Sequence, residues 1–282
     1  MKSIFSVDVE DWFHILDLDT APTMSEWDTL PSHVEKNFRR LLEMFDARNV
    51  KVTCFFLGWV AERFPDLVRE ACVCGHEIAS HGYAHRLVYE MSRKEFVEDA
   101  RKAKLLLEDI SGQDVAGYRS AGFSVTEDTP WYFSALTEAG YQYDSSVFPA
   151  DRGHGGMKTG QYAPYVIDHG DGRIIEFPIT VSDLFGKHMC FFGGGYLRLF
   201  PYWLIRRMAS KVQDEGRPVI YYIHPREIDP GQPRVKMNAK RRFKSYVNLK
   251  TTEKKVNRIL AEHELTTFRQ FIADEPESIG VM

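Results

Sequence analysis

Seven times along the chain a short apolar run ends in polar or charged residues, and the segments between these runs carry helical spacing. The runs are Ser3–Val9, Val52–Leu57, Glu77–Ser80, Asp114–Arg119, Gln142–Asp144, Arg173–Thr180 and Pro218–His224. Between the first two, Val34, Phe38, Leu41, Leu42 and Phe45 recur as one face of a helix. A helix is expected over Trp59–Cys74. Another opens at the capping box Ser92/Glu95 and carries Phe96, Ala100, Ala103, Leu107 and Ile110 on one face. Further helices start at Thr129-Pro130 and Pro201, and Gly193-Gly194-Gly195-Tyr196 reads as a turn. Strand–helix alternation of this kind demands a largely parallel sheet. Because polar groups end many of the strands rather than clustering at one crossover, a β/α barrel is favoured over an open sheet.

The 282 residues fit a barrel domain at 1–230 and an extension at 231–282, since such barrels run to about 250 residues. The extension has an amphipathic stretch at Thr251–Glu264, with Val256, Ile259 and Leu260 expected to pack on the same chain. Residues 150–172, rich in glycine and polar side chains, read as an inserted loop or lid. With 36 basic against 40 acidic residues the net charge is −4, so no nucleic-acid footprint is expected, and Lys240-Arg241-Arg242 reads as a solvated face. Four cysteines are too few for a disulfide scaffold and are expected reduced. The N-terminus lacks a signal-peptide pattern. No apolar run reaches the roughly 18 residues of a membrane span. A cytoplasmic protein is expected, or a periplasmic one if an export signal has been removed. The oligomeric state is left open.

His81 and His85 are four apart, a spacing that lets two imidazoles face one ion. Gly82 stands where the zincin helix motif needs Glu, which excludes that motif. Two histidines and a carboxylate form a common catalytic metal set. The cluster Asp8-Val9-Glu10-Asp11, at the end of the first strand, is the nearest source of the carboxylate, and alternation places Asp8 and Glu10 on one face. A carboxylate of this cluster can serve as general base, and His224, at the end of the last barrel strand, as general acid. Arg119 beside a carboxylate would hold it ionised and oriented. The small residues after it, Ala121 and Gly122 among them, leave backbone N–H groups for a developing oxyanion.

These residues, in this order, resemble the polysaccharide deacetylases of the NodB-homology superfamily, carbohydrate esterase family 4. Asp8-Val9-Glu10-Asp11 resembles the first motif, His81 to His85 the second, Arg119-Ser120-Ala121-Gly122-Phe123 the third, Tyr143-Asp144-Ser145-Ser146 the fourth and Ile223-His224-Pro225 the fifth. The resemblance spans roughly residues 3–230. Gly193–Tyr196, His224–Pro230 and Arg242–Leu249 are further similar to a bacterial subgroup found with exopolysaccharide and exosortase systems. The resemblance implies a distorted (β/α)7 barrel with a C-terminal helical extension. It also implies a divalent metal (zinc first, cobalt or nickel as alternatives) and hydrolysis of N-acetyl groups on a glycan substrate. It makes Asp8 the base, Arg119 its tether, His81 and His85 metal ligands, His224 the acid and Asp144 the residue that tunes it.

The first motif departs from the usual adjacent Asp-Asp, so the third ligand is Glu10 or Asp11, with alternation favouring Glu10. Gly82 replaces the common Ser or Thr, and the third motif lacks its usual prolines. Trp12, Phe13 and Tyr196 adjoin motif residues and are candidates to stack on sugar; Trp131 is a weaker one. Two competing readings stay open: a hydrolase of a small cyclic amide or imide on the same barrel, and a catalytically silent glycan-binding protein.

Overall fold

A computed structural model describes residues 2–16, 18, 20–150, 155–157, 159–170 and 172–281. The strands are β1 (Ser3–Val9), β2 (Thr53–Phe56), β3 (Glu77–Ser80), β4 (Gly117–Tyr118), β5 (Tyr143–Asp144), β6 (Tyr165–Asp168), β7 (Arg173–Glu176), β8 (Val181–Leu184), β9 (Lys187–Cys190), β10 (Ile220–Ile223), β11 (Leu265–Thr266) and β12 (Gly280–Val281). The helices are α1 (Val34–Asp46), α2 (Gly58–Arg63), α3 (Pro65–Val73), α4 (Arg93–Ser111), α5 (Tyr132–Ala139), α6 (Gly194–Leu199), α7 (Tyr202–Asp214), α8 (Ala239–Tyr246), α9 (Leu249–Glu262) and α10 (Phe268–Asp274).

Seven strands run parallel in the order β10-β1-β2-β3-β4-β5-β7, and these are the seven expected apolar runs. Between β7 and β10 no regular ladder forms. Single contacts bridge that side instead: the Ile220 N–H donates to Thr180 Oγ1 at 2.9 Å, the Tyr222 N–H donates to Phe192 O at 3.2 Å, and Gly193 bridges Tyr222. The result is the distorted (β/α)7 barrel.

Alternation along β1 sorts its side chains. Phe5, Val7 and Val9 join the core shared with the helices, while Ile4 joins a separate cluster with Phe55, Tyr143, Phe177, Phe268 and Phe271. The last two come from the extension, whose β11 pairs beside the start of β1 and whose Phe268 N–H donates to Thr53 Oγ1 at 3.0 Å. Extension and barrel therefore share one core. The amphipathic stretch in the extension is α9, with Val256, Ile259 and Leu260 buried.

Several boundaries differ from expectation. Trp59–Cys74 is not one helix but α2 and α3, because Pro65 has no N–H to continue the ladder and begins a new helix instead. Residues 150–172 are not all loop: Tyr165–Asp168 forms a strand antiparallel to β7. The proposed lid falls partly on 151–154, 158 and 171, outside the described residues. The glycine run is not a turn but the N-terminus of α6, capped by Gly193. A Cβ on Gly193 would lie 2.0 Å from the Tyr222 ring. Gly193→Ala is thus expected to cost about 1–3 kcal/mol through overpacking, measured by urea denaturation of the purified variant.

Candidate active site

At the C-terminal ends of the parallel strands lies a cavity of about 460 Å³, lined by Asp8, Glu10, His81, His85 and His224 among others. β1 delivers Asp8, which is 1% exposed. Its Oδ1 is 2.7 Å from Arg119 Nη1, and its Oδ2 is 3.7 Å from His224 Nε2. Arg119, just after β4, is fully buried and has no spare reach. Nη1 also donates to Ser6 Oγ at 2.8 Å, Nε to Ser145 O at 3.1 Å and Nη2 to Ser145 Oγ at 3.1 Å. The guanidinium lies 4.2 Å from the centre of the Phe55 ring.

β3 delivers His81, and the turn to His85 is pinned from two sides. The Tyr83 and Ala84 N–H groups donate to Asp99 of α4 at 2.8 and 3.1 Å. At the start of α2, the Gly58 and Trp59 N–H groups donate to the carbonyls of Gly82 and Tyr83 at 2.8 and 3.1 Å. Gly82 has φ +73, and a Cβ there would lie 3.1 Å from both Asp99 Oδ2 and the Tyr118 hydroxyl. In this turn a Ser or Thr side chain would be strained and tightly packed.

Ligand atoms of Glu10, His81 and His85 all lie within 4.8 Å of one another. His81 Nδ1 is 2.8 Å from Arg119 O and can only donate there, which leaves Nε2 with its lone pair toward the cluster. Burial pushes His81 down to about 4, favouring the neutral ring a metal needs. Burial would raise the Glu10 carboxyl, but His85, His224 and Arg226 together hold it well below the usual carboxylate range. Glu10 Oε2 sits 2.7 Å from His85 Nε2, yet it is buried with no hydrogen bond of acceptable direction. Two donor atoms facing each other without a bonding geometry is what a shared cation would resolve. Two imidazoles and a carboxylate fit zinc, cobalt or nickel.

Asp11 does not join this cluster. Its carboxylate accepts from Ser32 Oγ at 2.5 Å and from the N–H groups of Trp12, His33 and Val34 at 2.8, 2.9 and 3.1 Å, so it serves the start of α1. Trp12 and Phe13 also fall outside the cavity lining. Trp12 Nε1 donates to Pro31 O at 2.9 Å, and both rings are buried edge-to-face with each other. They are core because the chain turns inward directly after Asp11. Trp131 packs beside Phe96 rather than on the cavity. Tyr196 does line it, as do Ser120 and Gly122; Ala121 is buried behind them.

Asp144 does not reach His224. Its Oδ1 accepts from Ser146 Oγ at 2.6 Å and the Tyr132 hydroxyl at 3.1 Å, and burial raises both it and the neighbouring Glu176. The register places Asp144 opposite Glu176, and alternation turns both away from the Tyr143 and Phe177 side, toward Tyr132 of α5. Glu227 occupies the expected place: its Oε1 is 3.5 Å from His224 Nδ1 and 3.5 Å from Arg198 Nε. Burial would lower the His224 pKa, but Glu10, Glu227 and Asp8 outweigh it and raise it. The one sequence signal for Glu227 was its place three residues after a strand-end histidine. His14 was also missed. It lines the cavity with Nδ1 accepting from the Asp11 N–H at 2.9 Å and a buried Nε2 without a hydrogen-bond partner.

Residues 19–143 match the family described as Polysaccharide deacetylase. Residues 145–273, which hold His224 and Glu227, match a Domain of unknown function (DUF3473). A Peptidoglycan deacetylase of Helicobacter pylori is 27% identical over 156 residues, 53% of this chain and 47% of that protein. The Peptidoglycan deacetylase-like protein FGM2 of Gibberella zeae is 30% identical over 146 residues, 51% of this chain and 38% of that one. The chain thus spans about half or less of the length of these curated relatives. A crystal structure of a candidate polysaccharide deacetylase from Mycobacterium smegmatis superposes with a TM-score of 0.65 at 19% identity, over 98% of this chain and 90% of that one. An allantoinase structure gives 0.61 at 18% identity, over 97% and 90%. Likenesses at this identity establish the shared fold.

Proposed function

We propose that this chain is a metal-dependent hydrolase that removes N-acetyl groups from amino sugars of a polysaccharide or oligosaccharide. The carrying observation is the convergence of the Glu10–His81–His85 donor set, the Arg119-held Asp8 and His224 on one cavity. The two relatives named for peptidoglycan deacetylation support an amino-sugar substrate. A divalent cation held by Glu10, His81 and His85, best matched by zinc, would supply Lewis acidity toward the acetyl carbonyl and the attacking water.

The chain's own residues account for the proton transfers. Asp8, oriented by Arg119, takes a proton from water as the new C–O bond forms. Backbone N–H groups of the Ala121–Gly122 turn are assigned to the oxyanion. His224 donates a proton to the sugar nitrogen as the C–N bond breaks, giving acetate and a free amine. Glu227, on the other face of the ring, keeps that proton available at neutral pH. Because the His224 pKa is raised, the acid form persists above the ordinary histidine range, and turnover falls as pH rises through the raised value.

The test is acetate release from N-acetylated oligosaccharides with zinc present, run beside ring opening of hydantoin-like cyclic amides. Acetate release with inert cyclic amides supports the reading; the reverse result replaces it with the small-amide hydrolase. His224→Gln is expected to slow acetate release about 100-fold while bound zinc stays unchanged, which elemental analysis checks.

A further inference from the structure

The roof of the cavity is α8, which contributes Arg241, Phe243, Lys244 and Ser245 to the lining. Its start is capped by Asn238, whose Oδ1 accepts from the Arg241 N–H at 2.9 Å. Its last turn is held from below by Arg198, which donates to Ser245 O at 2.7 Å and Lys244 O at 2.9 Å. Arg198 also faces Glu227, the partner of His224, so the roof is tied to the residues beneath it. Sequence alone placed Arg241 on a solvated face; the fold turns it over the cavity instead.

Three cations border this space, Arg226, Arg241 and the exposed Lys244, and Arg241 Nη2 donates to a neutral acceptor, Leu16 O, at 2.8 Å. Among the described residues neither Arg241 nor Lys244 has a carboxylate within 4.0 Å, and for Arg226 there is only Glu10, at 3.9 Å. Arg226 Nε and Arg241 Nε are both buried without a hydrogen-bond partner. The acidic residues that line the cavity are otherwise engaged: Asp8 with Arg119, Glu10 with the histidines, Glu227 with Arg198 and His224. Gathering like charges around a cavity that also presents metal ligands is unfavourable unless an anion enters. It is the more pointed in a chain whose net charge is −4.

We propose that Arg226, Arg241 and Lys244 form an anion subsite, and that the substrate is a glycan bearing an oxyanion group near the N-acetylated sugar. Guanidinium groups present paired N–H donors matched to carboxylate or phosphate oxygens, and Lys244 adds a mobile point charge. Exposed Phe243 and half-buried Tyr196 offer apolar faces to the sugar rings alongside. The oxyanion is either a uronate carboxylate or a sugar-linked phosphate. The proposal rests on the deacetylase reading for the placement of the acetylated sugar, whereas the subsite itself is testable by binding alone.

Equilibrium binding of three probes to the zinc-loaded full chain, followed by calorimetry, separates the cases. The probes are neutral tetra-N-acetylchitotetraose, a tetrasaccharide alternating N-acetylglucosamine with glucuronate, and di-N-acetylchitobiose carrying a 1-phosphate. At least one anionic probe is expected to bind about tenfold or more tighter than the neutral one, the worth of one charge-assisted hydrogen bond. That advantage is expected to shrink as salt is raised from low to high concentration and to disappear in Arg241→Gln/Lys244→Gln. Binding of neutral tetra-N-acetylchitotetraose by the double variant reports that the cavity is intact, and the salt series on the unaltered chain needs no variant. The anionic probe that binds tighter identifies the oxyanion source. Equal affinity for all three probes, or an advantage that survives both salt and the double substitution, overturns the subsite. Anion-selective binding with no acetate release from any probe would remove the deacetylase reading and leave the subsite standing. Equal acetate release from neutral and anionic probes with equal affinity does the opposite.

Discussion

His81→Ala is expected to abolish both bound divalent cation and acetate release, whereas Asp8→Asn is expected to keep the cation and lose about 10²–10⁴ in rate, the usual worth of a general base. The two side chains line one cavity yet have different partners. His81 directs Nδ1 to the Arg119 carbonyl at 2.8 Å, leaving Nε2 as donor to the cation, so removing the ring removes a ligand. Asp8 stands outside the donor cluster, with one oxygen on Arg119 at 2.7 Å and the other facing His224 at 3.7 Å. An amide at position 8 keeps the shape and loses the basicity. Elemental analysis and acetate assay on both variants check the separation. Bound zinc in His81→Ala would reject the ligand assignment, and near-normal turnover by Asp8→Asn would reject the base.

The parts of the site that local pattern can specify were legible in the chain. Strand alternation alone put Asp8 and Glu10 on one face, and β1 runs from Ser3 to Val9 as its apolar run indicated. The spacing of His81 and His85 and the strand-end positions of Arg119 and His224 needed only the alternation of strands and helices. What depends on how the chain turns after a strand was not legible. Trp12 and Phe13 follow the first motif and read as sugar contacts, but Asp11 ties that turn to the start of α1 and sends both rings into the core. Glu227, to which the sequence reading gave no role, stands beside His224 where Asp144 was expected, for the same kind of reason. Position within β5 fixed where Asp144 points, and only the turn after β10 brings Glu227 back beneath His224. Arg241 reached the cavity through a contact between distant segments, its Nη2 donating to Leu16 O at 2.8 Å, which no local periodicity encodes.

Arg119→Met is expected to destabilise the fold by about 3–5 kcal/mol, the cost of leaving a buried charge without its partner. The residue joins three strands: its donors reach Ser6 and Asp8 of β1 and Ser145 after β5, while its own N–H donates to Ser80 O of β3 at 2.9 Å. Substitution keeps that backbone bond and the carbonyl that orients His81, so the loss is confined to what the guanidinium satisfies. Asp8, 1% exposed, would have His224 as its nearest remaining partner, and Ser145 O would lose its donor. Against a typical total of about 5–15 kcal/mol this is a large fraction, visible in the midpoint of a urea transition. Arg119→Lys is expected to recover only part of it, because one ammonium cannot span Asp8, Ser6 and both atoms of Ser145 at once. The decisive comparison is Arg119→Met in an Asp8→Asn background. If the penalty comes from the stranded carboxylate, the second substitution removes much of it, and the double variant is more stable than the two single losses added together. Simple additivity would mean that Arg119 stabilises the barrel through Ser6, Ser145 and the face of Phe55 alone, and that Asp8 is held in place by something else.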